Sequence, residues 1–296
     1  MVITRDVDLP SGRTLRVYDG RDALSAAPRV VVVWFHGSPQ TGAILPPVLE
    51  AAVARGIRVL SYARPGYGGS TPAPGRDVAS AAPDVAALVD AFDVERFAVM
   101  GASGGGPHAL ACAALLPDRV TAVVTLAGIA PFDAEGLDWF AGMADTGAVR
   151  AAAEGGRDAR ALFEETADFD PSSFNDGDYE ALDGRWSALG EDVGVATAGG
   201  PAGLGGLVDD DVAFTRPWGV DLADIHAPTL VVQGGDDRVV PLAHGEWLSG
   251  HVSRSEAWWR RHDGHISVLD AIPAALDWIL ENRILGNGIL GNADEA

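Results

Sequence analysis

One serine, flanked at two positions on either side by glycine, and a later group of aspartates and histidines are the residues of this chain suited to nucleophilic chemistry. The serine lies in Gly101-Ala-Ser-Gly-Gly105, between an apolar run, Phe97–Met100, and an Ala-rich helical pattern through Leu116. A serine hydroxyl is a weak nucleophile at neutral pH, so Ser103 needs a base, and the base needs an orienting carboxylate. Both residue types follow in chain order. Gly234-Gly-Asp-Asp-Arg-Val-Val-Pro241 offers Asp236 and Asp237, and Arg261-His-Asp-Gly-His265 offers His262 and His265. The chemistry such a set performs is acyl transfer through a covalent serine intermediate.

The elements around these residues must bring them together. Strand, sharp turn and helix around Ser103 make a nucleophile elbow, in which the N–H of Gly104 points to where an oxyanion would form at a helix N-terminus. The same glycines also suggest the Gly-x-x-x-Gly-x-Gly turn of a dinucleotide-binding enzyme. Its last glycine falls on Pro107, the chain holds no lysine for a Tyr-x-x-x-Lys pair, and the turn is not on the first strand.

Val2–Leu9 and Arg13–Tyr18 read as an edge hairpin, and Arg29–Phe35 as a strand buried on both faces. Strands are predicted at Ile57–Ala63, Arg96–Met100, Val120–Ala127, Thr229–Gly234 and Glu256–Arg260. Helices are predicted at Ile44–Arg55, Val78–Phe92, Ala243–His251 and Ile266–Asn282. This alternation implies an α/β fold with a mostly parallel eight-stranded sheet covered by helices on both faces. Residues 132–228 carry amphipathic, acid-rich stretches and no clear strand, so they read as a helical cap or lid between core parts 1–131 and 229–296. Loops at strand C-terminal ends converge on one sheet edge, which is where the serine, aspartates and histidines would meet. The repeated Ile-Leu-Gly-Asn from Ile284 reads as a helix stop and loose tail.

Four motifs in order, His36-Gly-Ser-Pro, Gly101-x-Ser-x-Gly, Gly234-x-x-Asp-x-x-Val-Pro241 and Gly264-His265, make the chain resemble the α/β-hydrolase superfamily over almost its whole length. The resemblance is greatest to capped bacterial serine hydrolases of the esterase and aminopeptidase-like kind. It implies Ser103 as nucleophile, Asp237 as acid, His265 as base, and the backbone N–H groups of Ser38 and Gly104 as oxyanion hole. Asp236 is then a turn residue, His36 a brace for the oxyanion loop, and His108 a packing residue. Serine at the nucleophile position separates the chain from epoxide hydrolases and haloalkane dehalogenases, which carry aspartate there. His36-Gly-Ser-Pro-Gln departs from the His-Gly-Gly-Pro-Gly usual in prolyl aminopeptidases. The implied activity is hydrolysis of an ester-like small molecule, a carboxylic ester or lactone. Acyl transfer or aminopeptidase activity on the same triad is one alternative, and a non-catalytic ligand-binding protein of this fold is another.

Trp139, Phe140 and Met143 follow the sixth strand at helical spacing and are the expected wall of the acyl pocket, with packing inside the cap as the alternative. A net charge of −21 argues against nucleic acid or an anionic membrane as partner. All 21 basic residues are arginine, which excludes a lysine Schiff base. The single Cys112 has no disulfide partner and sits among alanines as a small apolar residue. His226, His244 and His251 lack metal-ligand spacing, and no metal or cofactor is expected. The N-terminus has no apolar leader segment, so a cytoplasmic protein is expected, and a homo-oligomer is compatible with the sequence.

Overall fold

A computed structural model describes residues 1–282 of the chain; the Ile-Leu-Gly-Asn repeat lies outside the described residues. Its centre is one eight-stranded sheet. The strands are β1 (Ile3–Asp8), β2 (Thr14–Asp19), β3 (Val30–Phe35), β4 (Ile57–Tyr62), β5 (Phe97–Ala102), β6 (Val120–Leu126), β7 (Thr229–Gly234) and β8 (Ser255–Arg260). Their spatial order is β1-β2-β4-β3-β5-β6-β7-β8. β2 pairs antiparallel with β1, as the edge hairpin predicts, and also with β4, and every other pairing is parallel.

The parallel strands read as unbroken apolar runs because both sheet faces are covered. Along β3, Val33 and Phe35 enter one hydrophobic core while Val32 and Trp34 enter the other. The first core is closed by α2 (Ala81–Ala91), α3 (Gly105–Leu115) and α8 (Leu242–His251), through Leu88, Leu110 and Leu248. The second is closed by α1 (Pro46–Val53) and α9 (Ile272–Asn282), through Val48, Leu276 and Ile279. Cys112 is fully buried in α3.

Two expectations need correction. The helix predicted over Ile266–Asn282 is split into a 3-10 turn, Ser267–Ala271, and α9. Pro273 lacks an N–H and suits a first helical turn, so it starts a new helix where it would break a continuous one. Trp139, Phe140 and Met143 are not on a helix: the first two are in one turn and Met143 follows it in irregular chain. Gly136 and Gly142 flank them at φ 83° and 88°, left-handed conformations that stop helical propagation.

Between β6 and β7 the described chain is helical without a strand. It forms α4 (Gly147–Glu164), α5 (Asp176–Asp183), α6 (Ser187–Thr197) and α7 (Gly205–Phe214), with Gly156 at φ 66° breaking α4 in its middle. Asn175 caps α5 reciprocally with Asp178. The last of these helices is no surface element, because Val208, Asp210, Val212 and Phe214 are all buried. Among the described residues no helix is long and apolar enough to cross a membrane.

Candidate active site

Ser103 sits between the end of β5 and the start of α3, at φ 51°. A non-glycine residue in this region is strained, and the surroundings hold it there. Its N–H donates to Leu126 O at 2.8 Å, and its carbonyl accepts from the Gly106 N–H at 2.9 Å. The turn is this tight because Gly101 and Gly105 leave no room for a side chain. A Cβ on Gly101 would lie 2.3 Å from Gly105 O, and one on Gly105 would lie 2.1 Å from Phe35 O.

The structure brings Ser103, His265 and Asp237 into one hydrogen-bonded line. His265 Nε2 is 2.9 Å from Ser103 Oγ, and His265 Nδ1 is 2.9 Å from Asp237 Oδ2. The other Asp237 oxygen, Oδ1, accepts from the N–H groups of Val239 (2.9 Å) and Val240 (2.8 Å). Those bonds fix the carboxylate and leave Oδ2 for the imidazole, to which Gln233 Nε2 adds a longer contact at 3.3 Å. Asp236 and His262, the neighbouring candidates, are both exposed. Burial pushes the His265 pKa down, but the charge and hydrogen bond of Asp237, with Asp178 behind, outweigh it and leave it above the ordinary histidine value.

Ser38 and Gly104 flank Ser103 from the loop after β3 and the start of α3. A Cβ on Gly104 would lie 2.5 Å from Ser38 Oγ and 3.0 Å from the Phe214 ring, so the two residues are neighbours beneath α7. Among the described residues, neither backbone N–H donates to a protein acceptor. His36 is fully buried: its Nε2 accepts from the Arg64 N–H at 3.1 Å, and its Nδ1 is 2.7 Å from Gly37 O. Burial, reinforced by the Arg64 charge, holds its pKa well below the histidine range, so it is a neutral brace of this loop. His108 is buried in α3, and burial lowers its pKa to about 4. His244 is likewise lowered by burial to about 4, between the Ala130 N–H and Trp139 O.

These groups open onto a mostly apolar cavity of 580 Å³, lined from the core by Ser38, Gly104, Ser103 and His265. Val240, Ile266 and Leu269 add to the core side, and the helical segment contributes Phe169, Phe174, Leu189, Val193 and Phe214. Trp139 and Met143 line the cavity; Phe140 does not. The Phe140 ring packs instead on Phe132 and Trp139, with the Arg150 guanidinium 3.9 Å above it. The turns around Gly136 and Gly142 direct it away from the cavity, an outcome that helical spacing does not anticipate. A second cavity of 260 Å³, among Arg13, Arg76 and Asp84, contains neither Ser103 nor His265.

Sequence reasoning missed three acidic residues that organise this region. Fully buried Asp178 accepts from the N–H groups of His265 (3.1 Å), Ile266 (2.8 Å) and Ser267 (2.8 Å), and so pins the loop that carries the histidine. Its signal was the capping pattern Asn175-x-x-Asp178. Asp210 accepts from Ser38, Arg64, Tyr67 and Arg76. Asp211 lines the cavity with Arg160, whose Nε donates to it at 2.6 Å. Burial raises the Asp211 pKa to about 6 against the pull of Arg160. Both lie, with Asp209, in a run of three aspartates flanked by Leu207-Val208 and Val212-Ala-Phe214, and those apolar flanks were the available sign of burial.

Fold and site together define a protein class, and the sequence comparisons agree. The chain belongs to the alpha/beta hydrolase fold family, whose model matches residues 30–271. A curated relative, the 2-hydroxy-6-oxononadienedioate/2-hydroxy-6-oxononatrienedioate hydrolase of Cupriavidus pinatubonensis, is 28% identical over 273 residues, covering 88% of this chain and 89% of its own. Among solved structures, a bromoperoxidase from Bacillus anthracis superposes with a TM-score of 0.69 at 22% identity, covering 94% of this chain and 100% of its own. The enol-lactonase from Burkholderia xenovorans does so with a TM-score of 0.68 at 20% identity, with the same coverage. At these identities the two structures establish a shared fold.

Proposed function

We propose that this protein is a metal-independent serine hydrolase acting on a small carboxylic ester or lactone. The observation that carries the reading is the line Ser103 Oγ–His265–Asp237, with 2.9 Å at each step, on the wall of an apolar cavity. His265 Nε2 would take the hydroxyl proton as Ser103 Oγ attacks the substrate carbonyl carbon. Asp237, accepting from Nδ1–H, holds the tautomer that makes Nε2 the base and stabilises the imidazolium that forms. The unpartnered N–H groups of Ser38 and Gly104 would receive the developing oxyanion, and the N-terminus of α3 adds favourable potential. His265 then protonates the leaving alcohol. Water, deprotonated by the same imidazole, attacks the acyl carbon and releases the acid with Ser103 restored.

In this reading, residues 132–228 are the lid. They supply about half of the residues that line the cavity, so they select the substrate by shape and exclude bulk water. A volume of 580 Å³ suits a small-molecule substrate, and its apolar lining favours a hydrocarbon-rich acyl or alcohol part. The curated relative is named as a hydrolase of small molecules, 2-hydroxy-6-oxononadienedioate and 2-hydroxy-6-oxononatrienedioate.

The test is active-site labelling with a fluorophosphonate, followed by intact-mass detection and a panel of short, long, aromatic and lactone esters. A single adduct on the wild type, absent from Ser103→Ala, together with ester turnover lost in that variant, is the expected result. Comparable turnover by Ser103→Ala would end the proposal.

A further inference from the structure

The Ser38 side chain is fully engaged. Its hydroxyl donates to Asp210 Oδ2 at 2.6 Å and accepts from Arg64 Nη2 at 2.8 Å. Arg64 also donates to the carbonyls of His36 and Gly37, so one guanidinium clamps three consecutive residues of the loop after β3. Arg64 is held in turn by Asp210, through Nε at 3.2 Å and Nη2 at 2.7 Å. Asp210 is on α7, fully buried, and far from this loop in sequence. It also accepts from Tyr67 Oη at 2.8 Å and Arg76 Nη2 at 2.5 Å.

Burial would raise the Asp210 pKa, but the charges of Arg64 and Arg76 overcome that and hold it well below the usual carboxylate range. It is therefore a buried anion serving two buried cations. Donors to an oxyanion act only when fixed within hydrogen-bond range of where the charge develops, and small misplacements lose rate steeply. No other side chain ties the lid segment to the Ser38 hydroxyl by hydrogen bond among the described residues.

We infer that Asp210 is a positioning residue: it fixes Arg64, and through Arg64 and the Ser38 hydroxyl it aims the Ser38 N–H at the oxyanion. The inference rests on the reading of Ser103 as nucleophile. Asparagine at 210 keeps the size but not the acceptors. Its single carbonyl oxygen cannot serve both the Ser38–Arg64–Tyr67 side and the Arg76 side, and its NH2 meets a donor on whichever side it faces.

The experiment compares wild type, Asp210→Asn, Ser38→Ala and Tyr67→Phe on p-nitrophenyl butyrate, with n-butylboronic acid as the tetrahedral analogue and a fluorophosphonate as covalent probe. In Asp210→Asn, kcat falls about ten- to a hundredfold with KM within about threefold. Boronate affinity and the labelling rate constant fall in parallel, while the acid limb of the pH profile stays in place because His265 and Asp237 are untouched. Ser38→Ala cuts only the hydroxyl link, leaves Arg64 and Arg76 their counter-charge, and shows the same pattern should Asp210→Asn fail to fold. Tyr67→Phe removes one of the hydrogen bonds to Asp210 Oδ2 but keeps the ring that packs on His36 and Arg64, and it lowers kcat by less than Ser38→Ala does.

Folded Asp210→Asn and Ser38→Ala with kcat and boronate affinity within about twofold of wild type would overturn the inference. So would a Tyr67→Phe loss of kcat equal to that of Ser38→Ala, since the cluster would then be a general structural support. Wild type that no fluorophosphonate labels removes the serine reading and this inference with it. Labelled wild type with an equally fast Asp210→Asn removes only the inference.

Discussion

Replacing Asp237 by asparagine probes the tautomer of His265, and the structure dictates which way the new amide must face. Oδ1 of Asp237 accepts two backbone N–H groups, from Val239 and Val240. An asparagine keeps its carbonyl oxygen there, because the NH2 group would otherwise meet two donors. The NH2 therefore occupies the Oδ2 position, 2.9 Å from His265 Nδ1, and donates to it. Nδ1 becomes an acceptor, the ring proton moves to Nε2, and the base presents an N–H to Ser103 Oγ where it should present a lone pair. Loss of a base by tautomer inversion lowers kcat by about 10⁴, which is about 5.5 kcal/mol of barrier at 1.36 kcal/mol per decade. The assay is kcat on the best ester of the panel, with circular dichroism to show an intact fold and Asp236→Asn as an exposed-neighbour control. A variant Asp237→Asn that keeps more than about a tenth of wild-type kcat would refute the relay, and a loss confined to Asp236→Asn would move it one residue upstream.

Three other outcomes follow from the same geometry. His265 must be neutral to act as base, and Asp237 raises its pKa, so kcat/KM should fall as pH drops through a midpoint above 6.5; a midpoint below 6 in a pH–rate profile contradicts that balance. Asp178→Ala strips acceptors from three backbone N–H groups of the histidine loop, at about 1 kcal/mol or more each, and thermal unfolding should show Tm lower by about 6 °C or more; an unchanged Tm contradicts the pinning. Gly101→Ala would place a Cβ 2.3 Å from Gly105 O, so it should yield little folded protein, and soluble, fully active Gly101→Ala would show that the elbow can open.

What was legible in the sequence was what local pattern encodes. Val30–Phe35 and Phe97–Ala102 are apolar on every residue because both sheet faces are covered, so strands and their alternation with helices could be read directly. Ser103, Asp237 and His265 could be gathered because each follows a parallel strand, and such loops share one edge of the sheet. The helical segment was less legible. Helical spacing of Trp139, Phe140 and Met143 gave way to turns once Gly136 and Gly142 took left-handed conformations, and that moved Phe140 off the cavity. Acid-rich stretches read only as part of a helical cap, and nothing in them marked Asp178 and Asp210 as fully buried. Their partners are distant in sequence, Asp178 with His265 and Asp210 with Arg64, and no local period records such a pairing.

The burial of α7 bears on how this enzyme could be re-engineered. The segment proposed above as the lid invites exchange, because in that reading it shapes the substrate cavity over a sheet that relatives share. Here the segment is not a cassette. Splicing out all of 132–228 would remove the counter-ion of Arg64 and Arg76 and leave two guanidiniums stranded in the interior, each of which is buried. Breaking a buried pair in this way destabilises by about 3–5 kcal/mol, a large part of a typical domain's margin. A graft that keeps the native chain from Gly205 onward preserves that charge balance. The better splice junction is therefore just before α7, provided that the grafted stretch keeps Asp178, which pins the His265 loop, and Arg160, which pairs with Asp211 of α7.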